Sequence, residues 1–103
     1  MIRHTVVFKL KDQIDSLQEQ AFFEAALALA AIPGVQKFEG LKQIGTKNNF
    51  NFGLSMEFDS AEKYAYYNNH PAHVQFVQEH WIPTVQDFLE IDYEPLEPVA
   101  GNS

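Results

Sequence analysis

Three histidines and the only tryptophan of the chain fall within residues 70–81, "HPAHVQFVQEHW". Imidazole titrates near neutrality, so such a cluster suits proton transfer or metal binding. His70 and His73 are three residues apart with Pro71 between them, and His80 follows His73 by seven, about two helical turns. A zinc site needs at least three converging ligands, and beyond Glu79 nothing nearby supplies them. No metal is therefore expected. Pro71 predicts a helix start, with His70 capping it rather than binding a ligand. His73 should share a helix face with Phe76 or Val77. It is the best candidate for a working imidazole, and His70 and His80 are expected to be structural or exposed.

His4 stands among Ile2, Val6, Phe8 and Leu10 on the apolar side of an alternating stretch. Burying an imidazole there requires a hydrogen-bond partner. Two readings stay open: a core histidine satisfied by a carbonyl or a tyrosine, or a histidine at the wall of a pocket between sheet and helices. Tyr64, Tyr66 and Tyr67 lie in one short segment and cannot share one helix face; Tyr64 and Tyr67, three apart, are the pair that can. Asp12, Asp15, Asp59, Asp92 and Glu94 read as caps or edge charges on a solvated surface. The sequence holds no phosphate-binding glycine loop, no nucleophile elbow and no Ser/His/Asp set.

The elements that must position these groups follow from periodicity. Residues 2–10 alternate as a strand with one buried face. Residues 14–31 space Leu17, Ala21, Phe22, Ala25, Leu29 and Ile32 as a helix, with Asp15 or Ser16 capping it and Glu19 completing a box with Ser16. "IPGV" at 32–35 stops it, Gly34 allowing a left-handed turn. Residues 35–44 make a weaker strand in which Gly40 marks a bulge. Residues 50–58 alternate cleanly, with Phe50, Phe52, Leu54, Met56 and Phe58 on one face. A second helix begins after Asp59 or Ser60, is interrupted at Pro71, resumes over 71–80 and ends at Pro83. Residues 86–93 suggest a last strand. The order strand, helix, strand, strand, helix, strand predicts an α+β, ferredoxin-like sandwich within residues 1–95, and a flexible tail over 96–103. One sheet face packs on the helices. The other carries Thr5, Val7, Gly53 and Ser55, and a second subunit stacked sheet on sheet would cover it.

Composition narrows the partners. Seven basic residues against fourteen acidic ones give a net charge of −7, which argues against nucleic acid and anionic membranes. No stretch is apolar enough to span a bilayer, and the start is not a signal segment. With no cysteine there is no disulfide framework. A cytoplasmic protein is the expectation.

The first strand "HTVVFKLK", the "IPGV" loop, the "FDS" step into the second helix and "YNNHPAHVQF" resemble, in order and spacing, the stress-responsive dimeric α/β barrel (Dabb) domain over roughly residues 2–95. The resemblance implies a homodimer of ferredoxin-like subunits. It also implies site residues, because one family member, a plant polyketide cyclase, performs an intramolecular aldol condensation without a cofactor. Its first-strand histidine falls on His4, its helix tyrosine on Tyr67 and the second histidine of its "HPAH" on His73. Its third-strand histidine falls on Phe52, which cannot transfer protons. By that resemblance His73 would be the base, Tyr67 the hydrogen-bond donor and His4 an orienting group. Phe52, Phe58 and Phe76 would line a pocket for a small hydrophobic or aromatic ligand, with no cofactor.

Two other readings compete. In one, those phenylalanines fill the space and the protein is a non-catalytic stress or assembly protein. In the other, ranked last because it rests on fold analogy, it is a haem-handling or cofactor-free monooxygenase. A cation held by main-chain carbonyls of Ile32–Val35 would leave no trace in the sequence.

Overall fold

The computed structural model describes residues 1–96, so all but the first residue of the expected tail lies outside the described residues. β1 (Ile2–Leu10) leads through α1 (Ser16–Leu27) and a 3-10 turn (Ala28–Ala31) to β2 (Gln36–Lys42). β3 (Phe52–Phe58) follows, then α2 (Ala61–Asn69), α3 (Pro71–Phe76), a π-helical turn (Val77–Trp81), the single turn α4 (Ile82–Thr84) and β4 (Val85–Tyr93). The strands lie in the order β2-β3-β1-β4, each antiparallel to its neighbours. This is the split βαβ arrangement of a ferredoxin-like α+β sandwich, as expected.

β1 is central, and its inward residues His4, Val6, Phe8 and Leu10 are buried. Phe8 is fully buried, its ring 5.7 Å from Phe22, 5.8 Å from Phe52 and 5.0 Å from Trp81. Phe22, Met56 and Phe58 are buried as completely. Each such side chain contributes roughly 1.5–3 kcal/mol by leaving water. These aromatics tie α1, both inner strands and the π turn into one core.

Several local expectations are corrected. α1 is shorter than 14–31, and its box is formed by Asp15 and Gln18: Asp15 accepts from the Gln18 amide, and the Gln18 side chain accepts from the Asp15 amide. Its buried residues are Phe22 and Ala26, and Leu29 of the following 3-10 turn is buried too; Leu17 is exposed, because five residues at 100° each put it about 140° from Phe22. The irregularity in β2 falls between Gln36 and Glu39, where Lys37 has φ 50°, and not at Gly40. Phe50 precedes β3 rather than belonging to it. Gly34, at φ 96°, makes the left-handed turn as expected. Pro83 does not end the helical path, which runs on from the π turn through α4 until the chain becomes extended at Val85.

β4 is an edge strand. Its register sets Asp92 opposite His4, Glu90 opposite Val6 and Phe88 opposite Phe8 on the helix side of the sheet. Leu89, Ile91 and Tyr93 therefore project from the outer face, with Thr5 and Val7 beside them.

Candidate functional site

His4 is buried, and its polar requirements are met by two groups distant in sequence. Its Nδ1 lies 2.7 Å from Asp92 Oδ1 and 2.8 Å from the Tyr64 hydroxyl. The Tyr64 hydroxyl donates to Asp92 Oδ2 at 2.9 Å. A carboxylate only accepts, so the consistent arrangement has Nδ1–H donating to Asp92 and Nε2 free of that bond. The site is thus a His–Asp–Tyr triangle joining β1, β4 and α2. Asp92 is no idle edge charge, as its sequence position suggested. Tyr64, singled out only as a helix-face partner of Tyr67, completes the triangle. Burial, first, and then the bond to Asp92 push its hydroxyl well above the ordinary tyrosine value.

Tyr67 and His73 form the second half. Tyr67 is buried on α2, while Tyr66 is the solvent-facing member of the three tyrosines. The Tyr67 ring lies 4.5 Å from that of His73 and 6.3 Å from that of His4. Burial, and next the charge of Glu90, raise the Tyr67 hydroxyl above its ordinary value, so it remains a donor at neutral pH. The Asn68 carbonyl accepts from His73 Nδ1 at 3.1 Å, which fixes the tautomer and leaves Nε2 as the basic nitrogen. Burial holds the His73 pKa below 6.5, and nearby His4 acts in the same direction. His73 is therefore largely neutral at pH 7.

His70 accepts from the Ala72 amide at 3.0 Å and caps α3, as its place before Pro71 predicted. His80 does not continue the stripe of His73. The wider π turn over Val77–Trp81 advances the chain by one residue, and Trp81 takes the position a regular helix would give His80. His80 instead stacks on Phe76, with centroids 5.8 Å apart.

An open cavity of about 340 Å³ lies between the sheet and α2, α3 and the π turn. His4, Tyr67 and His73 all border it, with Asn68 and Glu90 as further polar groups. Its apolar wall includes Leu54, Met56, Phe76, Trp81 and Phe88. Of the three phenylalanines expected to line it, Phe76 does. Phe58 is packed beneath Tyr64, 5.1 Å away and stacked, and Phe52 lies against Phe23 at 4.9 Å. Neither borders the cavity, so the three phenylalanines do not fill it. Glu90 was missed by sequence reasoning, because the apolar alternation of Leu89, Ile91 and Tyr93 points it to the opposite face. Among the described residues, no group of three or more His, Cys, Asp and Glu is placed to hold a metal ion. No helix among them is long and apolar enough to cross a membrane.

The model of the stress responsive A/B barrel domain matches residues 2–95. The chain is 32% identical over 95 residues to a stress-response A/B barrel domain-containing protein of Arabidopsis thaliana, covering 90% of this chain but only 36% of that protein. It is 30% identical over 101 residues to olivetolic acid cyclase of Cannabis sativa, covering 91% of this chain and 96% of the cyclase. A solved Mesorhizobium loti Dabb family protein with a ferredoxin-like fold superposes with a TM-score of 0.87 at 53% identity, covering 92% of this chain and 96% of that one. A dimeric ferredoxin-like protein of Bacteroides fragilis matches with a TM-score of 0.71 at 24% identity over 91% of this chain and 95% of that one, a likeness of fold alone.

Proposed function

The chain belongs to the stress responsive A/B barrel domain family, and from that premise we propose that it binds a small, largely apolar carbonyl compound and transfers a proton on it without a cofactor. The observation that carries this reading is the open cavity bordered by His4, Tyr67 and His73 together. His73 Nε2 takes a proton from the carbon beside the carbonyl. The electron pair of that C–H bond moves to the carbonyl oxygen, where the Tyr67 hydroxyl donates a hydrogen bond. The His73 imidazolium then returns its proton to carbon or oxygen, and no electron is gained or lost. His4, oriented by Asp92 and Tyr64, supplies a second acid–base nitrogen. The similarity to a cyclase supports the class of chemistry, and its substrate is not carried over.

The test uses 4-phenylbutan-2-one in D₂O, with binding followed by NMR and exchange of the α protons by loss of their signal. The protein should accelerate exchange over buffer, and His73→Ala should remove about a hundredfold of that acceleration. Because burial lowers the folded-state pKa, His73 stays in its basic form below pH 6.5, and the acid limb of the rate profile should lie below that value. Binding without accelerated exchange would leave a ligand carrier; no binding would remove the reading.

We infer, further, that a second copy covers the outer sheet face. Leu41, Leu89, Ile91 and Tyr93 are there 40% to 52% exposed, an apolar surface on an open sheet. The fold likeness to proteins called dimeric supports the same arrangement. Light scattering should give twice the 11.8 kDa chain mass, and Leu89→Arg should halve it; a wild-type monomer at micromolar concentration would overturn the dimer.

A further inference from the structure

Glu90 gives and takes no proton in the transfer above, yet it borders the same cavity from an exposed position on the edge strand. The β1–β4 register explains its presence: Asp92 and Glu90, two residues apart, project from the helix side of β4 opposite His4 and Val6. Asp92 is held by His4 and Tyr64, whereas Glu90 makes no side-chain hydrogen bond or ion pair among the described residues. No lysine or arginine borders the cavity among those residues. Trp81 and Phe88 line it as well, their rings 5.5 Å apart and nearly perpendicular. A lone carboxylate beside electron-rich rings is the chemistry that receives an organic ammonium group.

We propose that Glu90 makes this cavity selective for a small molecule with an ammonium head on an apolar body, and that it rejects the corresponding carboxylates. The apolar body lies against Leu54, Met56 and Phe76, and the head lies by Glu90, Trp81 and Phe88. A ligand carboxylate in that place would face Glu90 with no cation to offset the repulsion, in a chain whose net charge is already −7. His73, largely neutral at pH 7, neither repels the ammonium nor attracts the carboxylate. The inference rests on the reading of the cavity as a ligand site and names the class of ligand it takes.

Three probes of one shape test it: 3-phenylpropylamine, 3-phenylpropan-1-ol and 3-phenylpropanoate, titrated at pH 7 by calorimetry and Trp81 fluorescence. The amine should bind about five- to tenfold more tightly than the alcohol, and the carboxylate more weakly than both. Glu90→Gln should bring the amine and the alcohol together without weakening the alcohol. Raising the salt should shrink the wild-type amine preference through screening. If the alcohol binds and the amine is no tighter, or if Glu90→Gln leaves the preference intact, the selectivity is overturned while the ligand site stands. If none of the three binds while 4-phenylbutan-2-one does, the selectivity is overturned and the ligand site stands; if the ketone does not bind either, both are overturned.

Discussion

Asp92→Asn is expected to slow α-proton exchange roughly tenfold, less than the loss of the base His73, while the protein remains folded. The reason is tautomeric. Asp92 only accepts, so at 2.7 Å it keeps the proton of the His4 ring on Nδ1 and leaves Nε2 basic. An asparagine can turn its amide toward the ring, donate to Nδ1 and drive the proton to Nε2, where it blocks proton uptake. The change removes about one hydrogen bond's net stability, ~1 kcal/mol. Ring nitrogen chemical shifts report the tautomer directly, which a merely structural role for Asp92 would not move. Tyr64→Phe is the comparison: it removes a partner of the carboxylate but leaves the Nδ1–carboxylate bond, so its effect should be far smaller. An unchanged tautomer and an unchanged rate in Asp92→Asn would make His4 a core histidine whose hydrogen bonds are simply satisfied.

Phe8→Ala is expected to destabilise the fold by about 3–5 kcal/mol, the largest loss from any single substitution considered for this chain. Phe8 is fully buried on the central strand, with Phe22 and Phe23 of α1, Phe52 of β3 and Trp81 of the π turn around it. These neighbours come from separate elements, so the void cannot be closed by one side chain relaxing. A domain of this size is stable by only about 5–15 kcal/mol. The melting temperature should therefore fall by roughly 12–40 °C. Urea unfolding followed by circular dichroism measures it, with Leu17→Ala as a control, since Leu17 is 76% exposed and should cost almost nothing. A loss below about 1 kcal/mol for Phe8→Ala would mean that the aromatic cluster does not anchor the sheet to the helices.

Much of the molecule was legible in the order of its residues. The alternation of Ile2–Leu10 placed His4 inward on a strand, and Pro71 placed His70 at a helix start, because period and backbone chemistry are local properties. The order of strands and helices was enough for a ferredoxin-like sandwich. His4, Tyr67 and His73 could be singled out as candidates, but their meeting at one cavity depends on how α2 and α3 lie on the sheet.

Tertiary structure alone decided the rest. The face of β4 is the clearest case. In "FLEIDY" the apolar rule would send Leu89, Ile91 and Tyr93 to the core and Glu90 and Asp92 to water; antiparallel register with β1 instead puts Glu90 and Asp92 on the helix side, still exposed at the sheet edge, and the apolar three on the outer face. The partners of His4 lie 60 and 88 residues away, so no spacing rule links Tyr64 or Asp92 to it. His80 lost its place beside His73 because the helix widens by one residue, a change in hydrogen bonding that periodicity cannot register. Phe52 and Phe58 carry the same side chain and inward direction as cavity-facing residues would. Which apolar residues become wall and which become filling depends on where the helices leave space, and that is set by packing across the layers rather than along the chain.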